Sequence, residues 1–118
     1  MLGFLDKQIY LVCGHVDMRK SIDGLAMVVK LQLEKDPMGE VVFVFCNRNR
    51  DRIKILEWDH DGFQVLFKRL ESGRYNWPVK TQEEKVMELS TAEMELMLGG
   101  NKLVQKLRRK HLSKMGIC

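Results

Sequence analysis

Residues 41–63 read VVFVFCNRNRDRIKILEWDHDGF, two β-forming runs separated by a charged turn and closed by a hairpin signal. Val41–Cys46 is a continuous β-branched and aromatic run, the pattern of a central strand covered on both faces. The next five residues, NRNRD, hold nothing apolar and form a turn. Arg52–Trp58 is the following strand, and Asp59-His60-Asp61-Gly62 has hairpin chemistry. Beyond it, Phe63, Val65 and Phe67 alternate with Gln64, Leu66 and Lys68, placing the two sets on opposite faces.

Upstream, QIYLVC at 8–13 is a strand that stops at Gly14. Asp17 offers an N-cap carboxylate to a long helix running to about Lys35. Ile22, Leu25, Ala26, Val29 and Leu33 make its buried stripe, and Gly24 is expected where it approaches the sheet. Asp36-Pro37-Met38-Gly39 turns the chain back. Downstream, Ser72-Gly73 and Asn76-Trp77-Pro78 break the pattern, and Val86–Leu89 is a short edge strand. Ser90-Thr91-Ala92-Glu93 has the spacing of a capping box. The short helix it opens has Met94, Met97 and Leu98 on its buried side and Gly99-Gly100 as its stop. Over 101–115, Lys102, Lys106, Arg109 and Lys110 fall within about 100° of a helical wheel, opposite Val104, Leu107 and Met115. The expectation is one α+β domain over 1–100, a small, mostly antiparallel sheet packed by one long helix and a short one. A basic amphipathic helical tail follows over 101–118.

The chain has 118 residues, 45% apolar and 31% charged, which suits one domain and excludes disorder. No apolar run reaches the roughly 20 residues that cross a bilayer. MLGFLDKQ lacks the features of a signal peptide, so a cytoplasmic location without membrane contact is expected. The net charge of +4 is unevenly spread: residues 1–95 hold 14 Lys/Arg against 16 Asp/Glu, whereas 96–118 hold six cations and no acid. Cys13, Cys46 and Cys118 form no CxxC pair. Cys13 and Cys46 are read as small buried hydrophobes and Cys118 as a terminal thiol, and neither metal nor cofactor is expected.

Three blocks, DMRKSIDGL at 17–25, FVFCNRNRDRIKILEWDHDGF at 43–63 and KRLESGRYNWP at 68–78, carry a resemblance in order and spacing. Over roughly residues 8–100 the chain resembles the small TnpB-type (Orf-two-like) accessory protein of bacterial insertion-sequence family sixty-six. That family is unrelated to the RNA-guided nuclease sharing the TnpB name. The resemblance implies a protein encoded beside a larger DDE-type transposase and needed for efficient transposition. It brings no established catalytic residues, and His60 stands where many relatives carry a small residue.

The candidate site is therefore argued from charge. Arg48, Arg50, Arg52 and Lys54, two residues apart, are expected to project from one side of an extended segment and follow a phosphate backbone. Lys68, Arg69 and Arg74 lie on the partner strand and the loop after it, within reach of the same rim. Asp51, Glu57, Asp59 and Asp61 offset part of this charge, and the plain alternative is a solvated turn. Arg19 and Lys20 open the long helix, either for an anionic partner or for an ion pair with Asp17 or Asp23. Lys102, Lys106, Arg109 and Lys110 of the tail suit DNA; an acidic partner surface, a membrane, or an intramolecular or dimer contact with the acidic stretch Glu83–Glu95 are the alternatives. Trp58 and Trp77 read as half-core, leaving Tyr75 as the better stacking candidate.

Asp17, Asp23, Asp51, Asp59 and Asp61 are enough carboxylates for a two-metal nuclease, but DHDG reads as a turn. His15, His60 and His111 lack metal-ligand spacing, and neither a Walker A nor a Rossmann fingerprint is present. The expected function is a non-catalytic accessory factor for transposition, with DNA and the transposase as partners and the oligomeric state open. A protein–protein adaptor exposing an apolar patch around Met94, Met97 and Leu98 is the alternative, and a metal-dependent nuclease comes third.

Overall fold

The apolar run Val41–Cys46 lies at the centre of a five-stranded sheet. The computed structural model describes residues 7–98; the expected tail over 101–118, Cys118 and the boundary at residue 100 lie outside them. In chain order the elements are β1 (Gln8–Val12), α1 (Ile22–Met27, continuing as a π-helical stretch Val28–Gln32), β2 (Val41–Cys46), β3 (Arg52–Asp59), β4 (Gly62–Arg69), β5 (Val86–Leu89) and α2 (Thr91–Leu98). The strand order is β4-β3-β2-β1-β5. Only β1 and β2 pair in parallel, because the helix between them returns the chain to the end it started from. The other three pairings are antiparallel.

Both faces of β2 are buried, as its unbroken apolar sequence requires. Val42, Val44 and Cys46 join Ile9, Leu11, Ile53, Ile55 and Met87 on one face, beneath α2. Phe43 and Phe45 join Leu25, Val28, Val29 and Leu56 on the other, beneath α1. Cys13 and Cys46 are buried, and burial pushes the Cys46 thiol up to about 12. Trp58 and Trp77 are half-buried, Trp77 donating its indole N–H to the Val12 carbonyl at 2.8 Å. Glu57, also buried, accepts from Gln64 at 2.6 Å and sits 3.1 Å from the Lys7 ammonium, an ion pair without hydrogen-bond alignment.

The expected long helix over 17–35 is shorter. Asp17 does not cap it: its carboxylate accepts from the Arg19 backbone N–H at 2.9 Å, closing an Asx turn before the helix begins. The helix starts after Ser21, and the left-handed backbone of Glu34 (φ 55°) follows its end. Gly24 does not approach the sheet; a Cβ there would meet the Lys20 side chain at 3.1 Å. In α2 the capping box is complete, with Ser90 N–H donating to Glu93 Oε1 at 2.9 Å and Glu93 N–H to Ser90 Oγ at 3.1 Å. Its Met94 and Met97 are buried in the core, so they do not supply the exposed patch considered for an adaptor.

Candidate nucleic-acid interface

Strand direction decides where the cations go. The pairings put Val12, Cys46, Arg52, Arg69 and Val86 at one end of the sheet. Three connections leave from that end, 13–21, 47–51 and 70–85. Arg19, Lys20, Arg48, Arg50, Arg52, Lys54, Lys68, Arg69 and Arg74 all lie on these connections or within three residues of them. Lys80 joins them, its backbone and Cβ lying against Gly14. The opposite end carries the connections 33–40 and 60–61 and the lead-in to β1, with Glu34, Asp36, Glu40, Asp59 and Asp61 against Lys7 and Lys35. Asp17, Asp51, Glu71, Glu83 and Glu84 share the first end, where cations still outnumber acids. A core that is slightly acidic in total is thus split along its strand axis into a basic end and an acidic end.

Asn47 organises the centre of the basic end. Its side-chain oxygen accepts from the backbone N–H groups of Asp51 and Arg52, each at 3.0 Å, and its amide donates to Asp51 Oδ1 at 2.7 Å. That hydrogen bond holds the Asp51 carboxyl below its usual range. The turn brings Arg50 into left-handed backbone, φ 61°. Arg48 and Arg50 are therefore exposed on a tight turn, not in line with Arg52 and Lys54 along an extended segment. The following loop is latched to the same turn: Leu70 N–H donates to the Asp51 carbonyl and Tyr75 N–H to the Arg50 carbonyl, both at 2.7 Å. Exposed Arg74 is carried beside Arg50 by that second bond.

Other cations are already engaged. Arg52 and Arg69 stand directly opposite on β3 and β4, each next to an acid, with Arg52–Asp51 at 3.8 Å and Arg69–Glu71 at 2.8 Å. The hydrogen bond to Glu71 raises the Arg69 pKa. Lys54 donates to the carbonyls of Met18 and Lys20, both at 2.8 Å, and so ties β3 to the lead-in of α1. Arg19 grips Asp17 through Nε and Nη2 at 3.0 and 2.7 Å, the ion-pair alternative read from the sequence. The guanidinium holds the Asp17 carboxyl down at about 2. An open cleft of about 970 Å³ runs between this segment and the 47–49 turn, lined by His15, Asp17, Lys20, Gln32, Asn47 and Arg48 among others.

Tyr75 is not a stacking platform. It is 1% exposed, packed edge-on to Trp77, and its buried hydroxyl has no hydrogen-bond partner among the described residues. Burial pushes that hydroxyl up to about 12. The exposed aromatic at this end is Phe67; the alternating pattern places it on a strand face without revealing that the face thins out there. Asn47 is legible as the Asx residue opening NRNRD, a signal that the even spacing of the arginines masks. Nothing in the sequence brings Lys80 to Gly14.

The IS66 Orf2-like protein model matches residues 7–108. The chain belongs to the IS66 Orf2-like family. Two Sinorhizobium fredii proteins are similar to the chain: the uncharacterized protein y4hO is 31% identical over 93 residues, 79% of each chain. The uncharacterized protein y4jC is 32% identical over 85 residues, 72% of this chain and 71% of its own. No solved structure matches the chain. Membership ties this IS66 Orf2-like protein to the transposition machinery of an insertion sequence, in a family with no known catalytic activity. No three His, Cys, Asp or Glu side chains among the described residues come together as a metal site requires. Among the described residues no helix is long and apolar enough to cross a membrane.

Proposed function

We propose that this IS66 Orf2-like protein is a non-catalytic accessory factor of transposition that binds DNA through the basic end of its sheet. The observation that supports this reading is the convergence of Arg48, Arg50 and Arg74. These three exposed arginines lie on two connections that the Tyr75–Arg50 backbone hydrogen bond ties together. Guanidinium groups on a rigid turn suit phosphate oxygens, and binding to the backbone positions a duplex without reading its sequence. The factor would neutralise phosphates near the element's ends and hold them for the transposase, the sheet acting as scaffold. A salt-dependent titration of the full chain against element-end and random duplex DNA tests this. Arg48→Ala/Arg50→Ala/Arg74→Ala should weaken both complexes and flatten the log–log salt slope by about 0.9 for each phosphate no longer neutralised. Unchanged affinity and slope in a folded triple variant would refute it.

One observation favours the adaptor reading instead. β4 is an edge strand of eight residues, and Leu66 is exposed on the face opposite Phe67. Such an edge accepts a partner strand. Co-purification with the transposase that survives nuclease and high salt, together with no DNA binding, would select it.

A further inference from the structure

Phe67 is 52% exposed, a large apolar surface in the midst of the basic end. It borders a groove of about 820 Å³ between the lead-in of α1 and the β3–β4 hairpin. The groove is lined by the apolar side chains of Met18, Ile22, Val65 and Phe67 and by Arg19, Arg52 and Lys54; the Asp17 carboxylate also lines it and is paired with Arg19. The Lys54 ammonium lies 5.9 Å from the centre of the Phe67 ring, and Arg69 follows two residues on along the same face of β4. A duplex that offers only phosphates gains nothing from the apolar lining. A flat ring carried on a phosphate backbone gains from both parts, stacking on the aromatic while the cations hold its charge.

We propose that this groove binds an unpaired base of single-stranded DNA, stacked on Phe67, with the adjoining phosphates on Arg52 and Arg69. The proposal rests on the DNA-binding reading above and adds strand state to it. Both arginines can turn to the phosphates: the Arg69–Glu71 pair is exposed and of the kind that exchanges readily, and the half-exposed Arg52 is held to Asp51 only by a long contact of 3.8 Å. Lys54 stays on its two carbonyls and serves the groove as a fixed charge beside the ring. The role differs from that of Arg48, Arg50 and Arg74, whose exposed turn and loop lie outside the groove lining.

The test is fluorescence anisotropy of the full chain with three labelled probes of equal length: a thymidine oligonucleotide, the same backbone without bases, and a matching duplex. The single strand should bind about tenfold more tightly than the abasic backbone, the usual scale of one stacked base. Phe67→Leu should abolish that difference while leaving duplex binding unchanged, and Phe67→Trp should restore it. The residue is largely exposed, so both variants are expected to fold, which a thermal melt verifies. Equal binding of the thymidine and abasic strands overturns the proposal, as does a Phe67→Leu variant that keeps the difference. In either case, binding that still falls with salt and with removal of Arg48, Arg50 and Arg74 leaves the phosphate-binding reading standing. A Phe67→Leu variant that loses transposase binding but keeps its preference for the thymidine strand makes the groove a protein-docking site and also overturns it. Failure of all three probes to bind at low salt removes both readings.

Discussion

Arg50 combines two roles that pull in opposite directions. Its left-handed backbone (φ 61°) closes the turn built on Asn47, yet it bears a side chain with a Cβ that this conformation disfavours. Glycine would hold the same backbone without strain and would keep both main-chain hydrogen bonds, Arg50 N–H to Asn47 and Tyr75 N–H to Arg50. Arg50→Gly should therefore stabilise the protein by about 1 kcal/mol, the strain of one left-handed non-glycine residue, while weakening DNA binding. Chemical denaturation and the salt titration read the two effects separately. A variant that is less stable would show that the arginine side chain packs favourably in the turn, and one that binds equally well would remove it from the interface. His60 has the same backbone sign at φ 57°, but it lies at the acidic end, where glycine would relieve strain without touching the candidate site.

At the level of elements, the sheet is more legible in the sequence than what packs on it. Val41–Cys46, Arg52–Asp59 and Gly62–Arg69 emerge where the apolar run and the alternation place them, because strand pairing and burial reinforce one local pattern. The helix expected over 17–35 is too long because Asp17 and the apolar stripe both look helical locally. The tertiary interaction that wins is Lys54, whose ammonium captures the Met18 and Lys20 carbonyls and so holds 17–20 as a turn. A long-range interaction of that kind has no local signature. The spacing of Arg48, Arg50, Arg52 and Lys54 misleads for a related reason, since its alternation runs through a segment that the Asn47 side chain folds into a turn. Lys54 should consequently behave as a structural residue. Lys54→Met keeps the stem and removes the charged donor, leaving two carbonyls without it. The expected cost is about 2 kcal/mol, the scale of hydrogen bonds from a charged group. Duplex affinity should change far less than in the Arg48/Arg50/Arg74 variant. A Lys54→Met protein of unchanged stability and much reduced duplex binding would reassign the lysine to the DNA interface.

For the whole molecule, the informative quantity is the separation of charge and not its sum. The ends of β3 from Arg52 to Asp59 are seven residue steps apart, or about 24 Å at the rise of an extended strand. The Debye length is about 8 Å at physiological ionic strength and about 30 Å at 0.01 M. DNA seated on the basic end, as proposed, would therefore lie beyond the reach of Asp59 and Asp61 in ordinary salt and come within it when salt is removed. Asp59→Asn/Asp61→Asn should leave duplex affinity within about 1.5-fold at roughly 0.15 M salt, and raise it about threefold at roughly 0.01 M. Total charge alone makes a different forecast. Removing two negative charges from a core that is slightly acidic overall would strengthen binding whichever way the molecule faced the duplex. The paired titrations thus test orientation directly. A gain of similar size at both ionic strengths would mean that the acidic end lies close to the DNA, and the interface would then have to be moved from the 47–51 and 70–85 connections to another surface.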